Sequence, residues 1–545
     1  MEEASADLVI RNAKIVTIDK ENPRAQAVAF RGERIIAVTS NADIERHIKG
    51  GHTEVIDAQG RLVVPGFNDA HIHFGFVDPD YIDLRYVRDP KIITEKVKDA
   101  VAKAQPGELI RGGRWEHEIF YDRQWPTKEL IDSVSPSNPV VLSRADGHSD
   151  LVNSYVIRHS GITKDTRDPF GGEIQRDPVT GEPTGIFKET AKALLKYGDV
   201  RVRLSHEEQQ ERRMRGWQAA FDMARRCGVT SMQLPPGGDF EIYQTFKDMG
   251  KLTARVYIGG SFTTNRQQLR RYAELQKKYP RDGDWIRFGY LKGFIDGTLG
   301  SGTALFFDPY VDAPEKTGLP QMSYEELERR IVTLDKAGFQ IGIHAIGDKA
   351  NHWVLDAYEK AQRANGRRDS RHRIEHAQVL HDDDTPRFAV LGAVASMQPT
   401  HCITDKRFAK KRIGTERCQG AYAWRRLLDA GAAIAFGTDY AVEPIDPLEG
   451  LYATVTRKDR AGEPGEGWFP DQKLSMEKAI ELYTLGSAYA EFTEDRKGKI
   501  KKGYLGDVVI FNNDLMTIPH DEIMSSKVDY TIVGGKVVYK RDRAN

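Results

Sequence analysis

The first sixty residues alternate apolar and polar positions in short runs. Residues 8–10, 14–18, 27–30, 34–38 and 54–56 are rich in Val, Ile and Ala, with Gly32, Asp57 and Gly60 between them. Such runs, bounded by turn formers, predict strands. The same texture returns at the far end, in residues 506–511 and 530–539. Either set alone is small for a stable sheet. The two ends are therefore expected to form one β-sandwich, residues 1–64 with 496–545, although two separate sheets would also satisfy the pattern. Residues 65–495 would then be a second domain lying between them in sequence.

From Gly228 onward the rhythm becomes strand, helix, strand. Strand candidates fall at 230–234, 254–258, 288–292, 340–344, 372–376, 393–398 and 433–439, several of them separated by helical stretches such as 324–337 and 351–364. A further apolar run, 63–73, passes through Pro65-Gly66 and ends in His71-Ile72-His73. Together these are eight β/α units, the number that closes a TIM barrel. The stretch from about 80 to 225 lacks the alternation and reads as an insertion after the first strand, able to cap the barrel mouth. Its last part, 205–227, has helical periodicity and a capping box in Ser205 and Glu208.

Composition narrows the class. A chain of 545 residues with 39% hydrophobic content can bury a large core, and its 80 basic and 80 acidic residues leave no charge excess to favour nucleic acid. The three cysteines, Cys227, Cys402 and Cys418, form no disulfide pattern. The acidic N-terminus lacks the pattern of a signal peptide, and no run is long enough to span a membrane. The expectation is a cytoplasmic protein with a small-molecule substrate, no nucleic-acid partner and no membrane association.

Chemistry concentrates at the predicted strand ends. Strand residues i and i+2 share a face, so His71 and His73 are expected to point together. Lys292, His344, His376 and Asp439 end later strands, and in a barrel such positions meet at one site. Four of the chain's 15 histidines fall at these ends. Nitrogen and carboxylate ligands suit Zn2+, and also Mn2+ or Fe2+. A metal there would bring the pKa of water to about 7 and polarise a carbonyl. Asp439 is the candidate general base and acid for the water and the leaving group. Lys292 is either a substrate-facing cation or, once deprotonated by burial, a carbamate formed with carbon dioxide. Within the insertion, Trp115, Trp125, Arg144, Asp146 and His148 are candidates to line the substrate pocket, against the plainer reading that the tryptophans pack the insertion's own core. Asp296 is carried as a substrate contact or, with Glu189, as a group that orients a ligand histidine.

Several of these residues stand in motifs. Pro65-Gly66-Phe67-Asn68-Asp69-Ala70-His71-Ile72-His73, Lys292 with Asp296-Gly297-Thr298-Leu299-Gly300, His344 with Gly347-Asp348, Arg373-Ile374-Glu375-His376 and Gly437-Thr438-Asp439 occur in that order. With Asp146-Gly147-His148-Ser149 and Pro183-Thr184-Gly185-Ile186-Phe187-Lys188-Glu189, they resemble the amidohydrolase superfamily, and within it the N-substituted formamide deformylase-like branch, amidohydrolase family 3. The resemblance implies a metal-dependent hydrolase of an amide-type C–N bond. It implies one metal held by His71, His73 and Asp439, and a second by His344 and His376. N6-carboxylysine at Lys292 would bridge them, while one metal beside an unmodified lysine also occurs in the superfamily. A homodimer is expected on the same ground. The competing readings are a deaminase or a lactone or carbamate hydrolase on the same scaffold, and a non-catalytic metal-binding regulator. A mononuclear deaminase would have no need of Lys292.

Overall fold

Eight parallel strands run in sequence order through the centre of the computed structural model, which describes residues 5–78, 80–197 and 205–542. They are β1 (Phe67–Asp69), β2 (Val229–Leu234), β3 (Arg255–Ser261), β4 (Ile286–Phe294), β5 (Ile341–Ala345), β6 (Arg373–His376), β7 (Val394–Met397) and β8 (Ala433–Phe436). Every residue of β2, β5, β6 and β7 is buried. That is the pattern of a parallel sheet covered on both faces, with helices such as Tyr324–Lys336 and Asp348–Asn365 on the outside. The seam between β1 and β8 is bridged at the end of β8 and just beyond it. Ala70 N donates to Phe436 O at 3.0 Å and Asp439 N to His71 O at 2.8 Å. The fold is the expected (β/α)8 TIM barrel with additional sheets.

The first strand is shorter than the sequence suggests. β1 ends at Asp69, so His71 and His73 do not share a face of a regular strand. Beyond Asp69 the backbone bonds to both neighbours in turn, with Ala70 N on Phe436 O and Ile72 N on Gln233 O at 3.2 Å. His71 is fully buried by this path, whereas the His73 side chain remains 46% exposed.

The insertion forms its own six-stranded sheet, ordered Gly172–Arg176, Pro183–Glu189, Ser149–Val152, Val140–Arg144, Ile110–Trp115 and Ile82–Asp83. It stops short of the expected boundary near 225. The helix His206–Arg226 buries Trp217, Ala220, Phe221 and Ala224 in the barrel's own core cluster. Phe221 packs edge-on to Tyr243 and tilted against Phe246. This helix belongs to the first β/α unit, and its capping box is present as read, with Glu208 N donating to Ser205 Oγ at 3.1 Å and Ser205 N to Glu208 Oε2 at 2.7 Å.

Both ends of the chain meet in one further sheet. Leu62–Pro65 pairs antiparallel with Val508–Phe511, which continues into Val528–Val533 and Lys536–Lys540. A four-stranded sheet of N-terminal strands lies against it, and Leu8, Ile10, Val28, Ile15, Val63, Ile510 and Ile532 share one apolar core. The last segment before this sheet closes the N-terminal end of the barrel. Gln233 and Gln340 donate to Ser487 O and Ala490 O at 2.7 and 2.8 Å, and Asn68 Nδ2 donates to Glu491 Oε1 at 2.7 Å. Among the described residues no helix is long and apolar enough to cross a membrane.

Candidate metal centre and active site

At the C-terminal ends of the strands, His71, His376 and Asp439 each place one ligand atom within 4.8 Å of the others. Asp439 is the hub. Its Oδ1 lies 3.6 Å from His71 Nε2 and 3.4 Å from His73 Nε2, and its Oδ2 lies 3.6 Å from His401 Nε2. The rings of His344 and His376 are 4.5 Å apart. His376 and Asp439 both hold positive φ, 75° and 57°. Such values are uncommon for residues with a Cβ and concentrate at functional sites.

The imidazoles are held by their outer nitrogens. His71 Nδ1 pairs with Glu375 Oε2 at 2.6 Å and His376 Nδ1 with Gln398 Oε1 at 2.7 Å. His344 Nε2 pairs with Gly297 O at 3.0 Å. Each ring thus keeps its other nitrogen for a ligand, the arrangement in which a supporting acceptor fixes tautomer and orientation. Burial pushes the pKa of His71, His344 and His376 below the ordinary value, so the rings are the neutral ligands a metal requires. Burial alone would raise Glu375. Arg373 and His71 outweigh it and hold the carboxyl down at about 2.

A metal fits this donor set on a further ground. His71 Nε2, Asp439 Oδ1, Lys292 Nζ and His401 Nε2 are buried and have no hydrogen-bond partner. Buried polar groups without partners cost about 1–3 kcal/mol each. Gathering four around one point is therefore expensive unless a ligand satisfies them. Lys292 is 3% exposed, its Nζ lies 3.9 Å over the Phe294 ring, and burial lowers its pKa to about 8.

The insertion reaches this centre through the loop after Val140–Arg144. Arg144 is buried between Glu116, at 2.5 Å, and Asp146. Asp146 Oδ2 accepts from Thr298 Oγ1 at 2.6 Å and from Ser301 Oγ at 2.8 Å. The Asp-Gly-His-Ser segment is thereby locked onto the loop that follows β4. His148 Nδ1 pairs with Glu189 Oε2 at 2.8 Å, Thr303 Oγ1 donates to Glu189 Oε1 at 2.7 Å, and the His148 ring stands 5.2 Å from that of His344. Glu189 too has positive φ, 50°.

Arg144 and His148 line the site, but two expected substrate contacts do not. Trp115 is fully buried, donates from Nε1 to Leu142 O at 2.7 Å, and packs in the insertion's core against Trp125. Asp296 is also fully buried. It accepts backbone N–H bonds from Leu305, Ile346 and Gly347, with His344 Nε2 3.5 Å away, so it braces the β5 end behind that histidine. His401, Glu375 and Asp69 escaped the sequence reading. His401 stands in the first turn of Pro399–Cys418, directly after β7, and the strand-end rule that selected the other histidines would have found it. Asp69 Oδ1 accepts from His71 N and Thr438 N at 3.1 and 3.0 Å and ties the two ligand-bearing loops together.

The centre lies in a narrow pocket of 90 Å³ lined by His71, His73, Lys292, His344, His376 and Asp439, with His401, Asp405 and Glu443 also on its wall. A cleft of 820 Å³ adjoins it past His73, Lys292 and Phe294, between Pro235, Pro236, Phe262, Met322 and Val442.

The comparisons agree with this architecture. The sequence profile of the amidohydrolase family matches residues 54–539. Protein LONG AFTER FAR-RED 3 of Arabidopsis thaliana is 36% identical over 98% of this chain and 92% of its own length. N-substituted formamide deformylase of Arthrobacter pascens is 28% identical over 98% of each. The crystal structure of an uncharacterized metal-dependent hydrolase from Pyrococcus furiosus superposes with a TM-score of 0.67 at 26% identity, covering 94% of this chain and 100% of that one. With its barrel, its converging histidines and aspartate, and a profile match over most of its length, the chain belongs to the amidohydrolase family of metal-dependent hydrolases.

Proposed function

We propose that this protein hydrolyses the C–N bond of a small amide, an N-substituted formamide or a related compound. The observation that carries the reading is the set of buried, unpartnered atoms of His71, Asp439 and Lys292 in a narrow pocket that adjoins a wide, largely apolar cleft. An amide bound there directs one substituent into the cleft. His71, His376 and Asp439 would hold one Zn2+, with His73 beside them, and His344 would extend the set toward a second. When bound, the metal supplies Lewis acidity toward the carbonyl and makes a water acidic near neutral pH.

The residues do the rest. Asp439 Oδ1 accepts the proton of the attacking water and returns it to the leaving nitrogen, the two-way role of a general base and acid. The lowered pKa of Lys292 leaves a fraction of its amine neutral at physiological pH. Neutral amine adds carbon dioxide with release of one proton, and the resulting carbamate would offer the site an anionic oxygen ligand. Phe262, Phe294 and Met322 in the cleft wall would receive an uncharged N-substituent. The relative whose name records the deformylation of N-substituted formamides supports the choice of substrate.

Metal content per chain, measured by plasma emission on protein grown with bicarbonate, tests the reading together with turnover on a panel of N-substituted formamides and acetamides. One or two zinc ions with amide turnover is the expected result. Asp439→Asn should then lose turnover by at least about a hundredfold in a folded protein. A metal-replete protein inert toward the whole panel would remove the amide assignment.

A further inference from the structure

The insertion delivers one further polar group to the edge of the metal centre. His148 lies at the end of the turn after Val140–Arg144, and the strand that follows it, Ser149–Val152, pairs antiparallel with Pro183–Glu189. Glu189 N donates to His148 O at 2.9 Å, and His148 N donates to Asp146 Oδ1 at 3.0 Å. The ring is held as firmly as the backbone. Nδ1 pairs with Glu189 Oε2 at 2.8 Å, and the other oxygen of Glu189 accepts from Thr303 Oγ1 at 2.7 Å.

The surroundings enforce this support. Glu189 holds φ 50° and ψ −126°, a backbone conformation that residues with a Cβ rarely adopt and that persists only where neighbours impose it. The chain passes so close at Gly297 that a Cβ there would collide with Thr303 Oγ1 and Glu189 Oε1. Gly297 O is also the acceptor for His344 Nε2 at 3.0 Å, which ties the His148–Glu189 pair to the histidines of the centre.

An ionised carboxylate accepts and cannot donate, so Nδ1 carries a proton and the lone pair of the neutral ring falls on Nε2. Nδ1 makes the one side-chain hydrogen bond of His148, and Nε2 has no partner among the described residues. The side chain is 16% exposed and lines both the narrow pocket and the cleft. Its ring stands 5.2 Å from that of His344 and 6.4 Å from that of Phe294, between the converging histidines and the apolar wall. An amide with its carbonyl at the centre and its N-substituent against Phe294 has its nitrogen along this passage. The ring presents an acceptor there, and the amide nitrogen carries a donor.

We propose that His148 Nε2 accepts a hydrogen bond from the N–H of the substrate amide. The inference rests on the amide reading and narrows it. The substrate keeps a hydrogen on its nitrogen, and an amide with both nitrogen positions substituted is rejected. A site built to bond an N–H discriminates strongly against an analogue without one, because the buried acceptor is then left unpaired. Asp439 remains the group that moves the proton, and His148 orients the bond that breaks.

The full-length, metal-loaded protein is assayed with N-propylformamide and N-methyl-N-propylformamide, as parent and as His148→Phe, which keeps the bulk of the ring and removes the acceptor. His148→Ala serves if the first variant does not fold. The parent is expected to favour the secondary amide by at least about a hundredfold in kcat/KM. The variant should lower that preference to less than about tenfold through loss on the secondary amide alone, with metal content unchanged. Similar rates on the two amides in the parent would overturn the contact. So would an undiminished preference in a folded, metal-replete variant, or a preference that narrows because the tertiary amide gains, which would assign it to bulk. Loss of bound metal in both variants would make His148 part of the ligand set and overturn it as well. Calorimetric titration with the same two amides separates the contact from the reaction. No turnover of either amide, with the secondary one bound at least about tenfold more tightly by the parent and the two bound equally by the variant, removes the hydrolysis proposed above and leaves the contact standing. Equal binding of the two by the parent removes the contact.

Discussion

Glu375 decides what His71 can do. Its carboxylate accepts from His71 Nδ1 and is itself anchored by Arg373 Nε at 2.8 Å, all three side chains being buried. Replacing it with glutamine keeps an oxygen of similar size but removes the charge that makes the imidazole a stronger base. Such outer partners are worth about ten- to a hundredfold in metal affinity. Glu375→Gln is therefore expected to lose its bound metal to a competing chelator at a ten- to hundredfold lower chelator concentration, with unchanged far-ultraviolet dichroism. Equal retention by variant and parent would show that Gln398 and Asp439 suffice to hold the site. At this scale the converging residues were legible and their supports only partly so. His71, His344, His376 and Asp439 could be named because each follows an apolar run and strand ends converge. Glu375 stands beside a ligand, in a motif that says nothing of where its side chain goes. Trp115 stayed open between core and pocket because burial in either demands the same residue type, and the structure places it in the core.

Among the elements, the decisive contact is the seam where the barrel closes. The backbone around Gly437 passes so close to the β1 loop that a Cβ there would lie 2.5 Å from His71 N and 2.7 Å from Asp69 Oδ1. His71 N is backbone and Asp69 Oδ1 is pinned by His71 N and Thr438 N, so the loops must separate. Gly437→Ala is expected to break the Asp69 bridge between His71 N and Thr438 N, and with it metal binding. A folded Gly437→Ala protein with the parent's metal content would contradict that. The second contact is the latch between the insertion and the β4 loop. Without the Asp146 carboxylate, Thr298 and Ser301 lose their acceptor and the segment bearing His148 is freed. Asp146→Ala should lower kcat/KM about ten- to a hundredfold, as small misplacements near a reacting centre do, while metal content stays constant. A loss of metal would show that the latch supports His344 as well. The eight strands and the capping box of His206–Arg226 were readable from periodicity. That helix's allegiance was not, because a periodic apolar stripe records that a face is buried and not which neighbour buries it.

Across the whole molecule, the end sheet and the barrel are held together by buried charge. Arg255 in β3 bonds Asp507 through Nε at 2.7 Å, just before the C-terminal strands. Glu491 closes the barrel base against two cations, Arg287 and Lys497, with its main-chain oxygen accepting from Arg287 Nη1 at 3.0 Å. No sequence pattern announces this cluster, since Arg287 lies 204 residues before Glu491 and joins it only once the barrel has formed. Removing one partner of such a cluster leaves buried charge uncompensated and costs about 3–5 kcal/mol. Glu491→Gln should therefore lower the thermal midpoint clearly at pH 7. The cost should also depend on pH. Burial lowers Lys497 to about 8, although Glu491 works to raise it, whereas the unfolded chain holds that proton up to about 10.4. Between those values the unfolded state binds more protons than the native one, so stability gains from this group as pH rises through the window and the full cost of the buried charge applies below it. Without Glu491 the native pKa of Lys497 falls further and the window opens at lower pH. The gap in thermal midpoint between parent and Glu491→Gln is expected to narrow between pH 7 and pH 9. A gap that is constant over that range would assign the loss to Arg287 alone, whose charge does not titrate there.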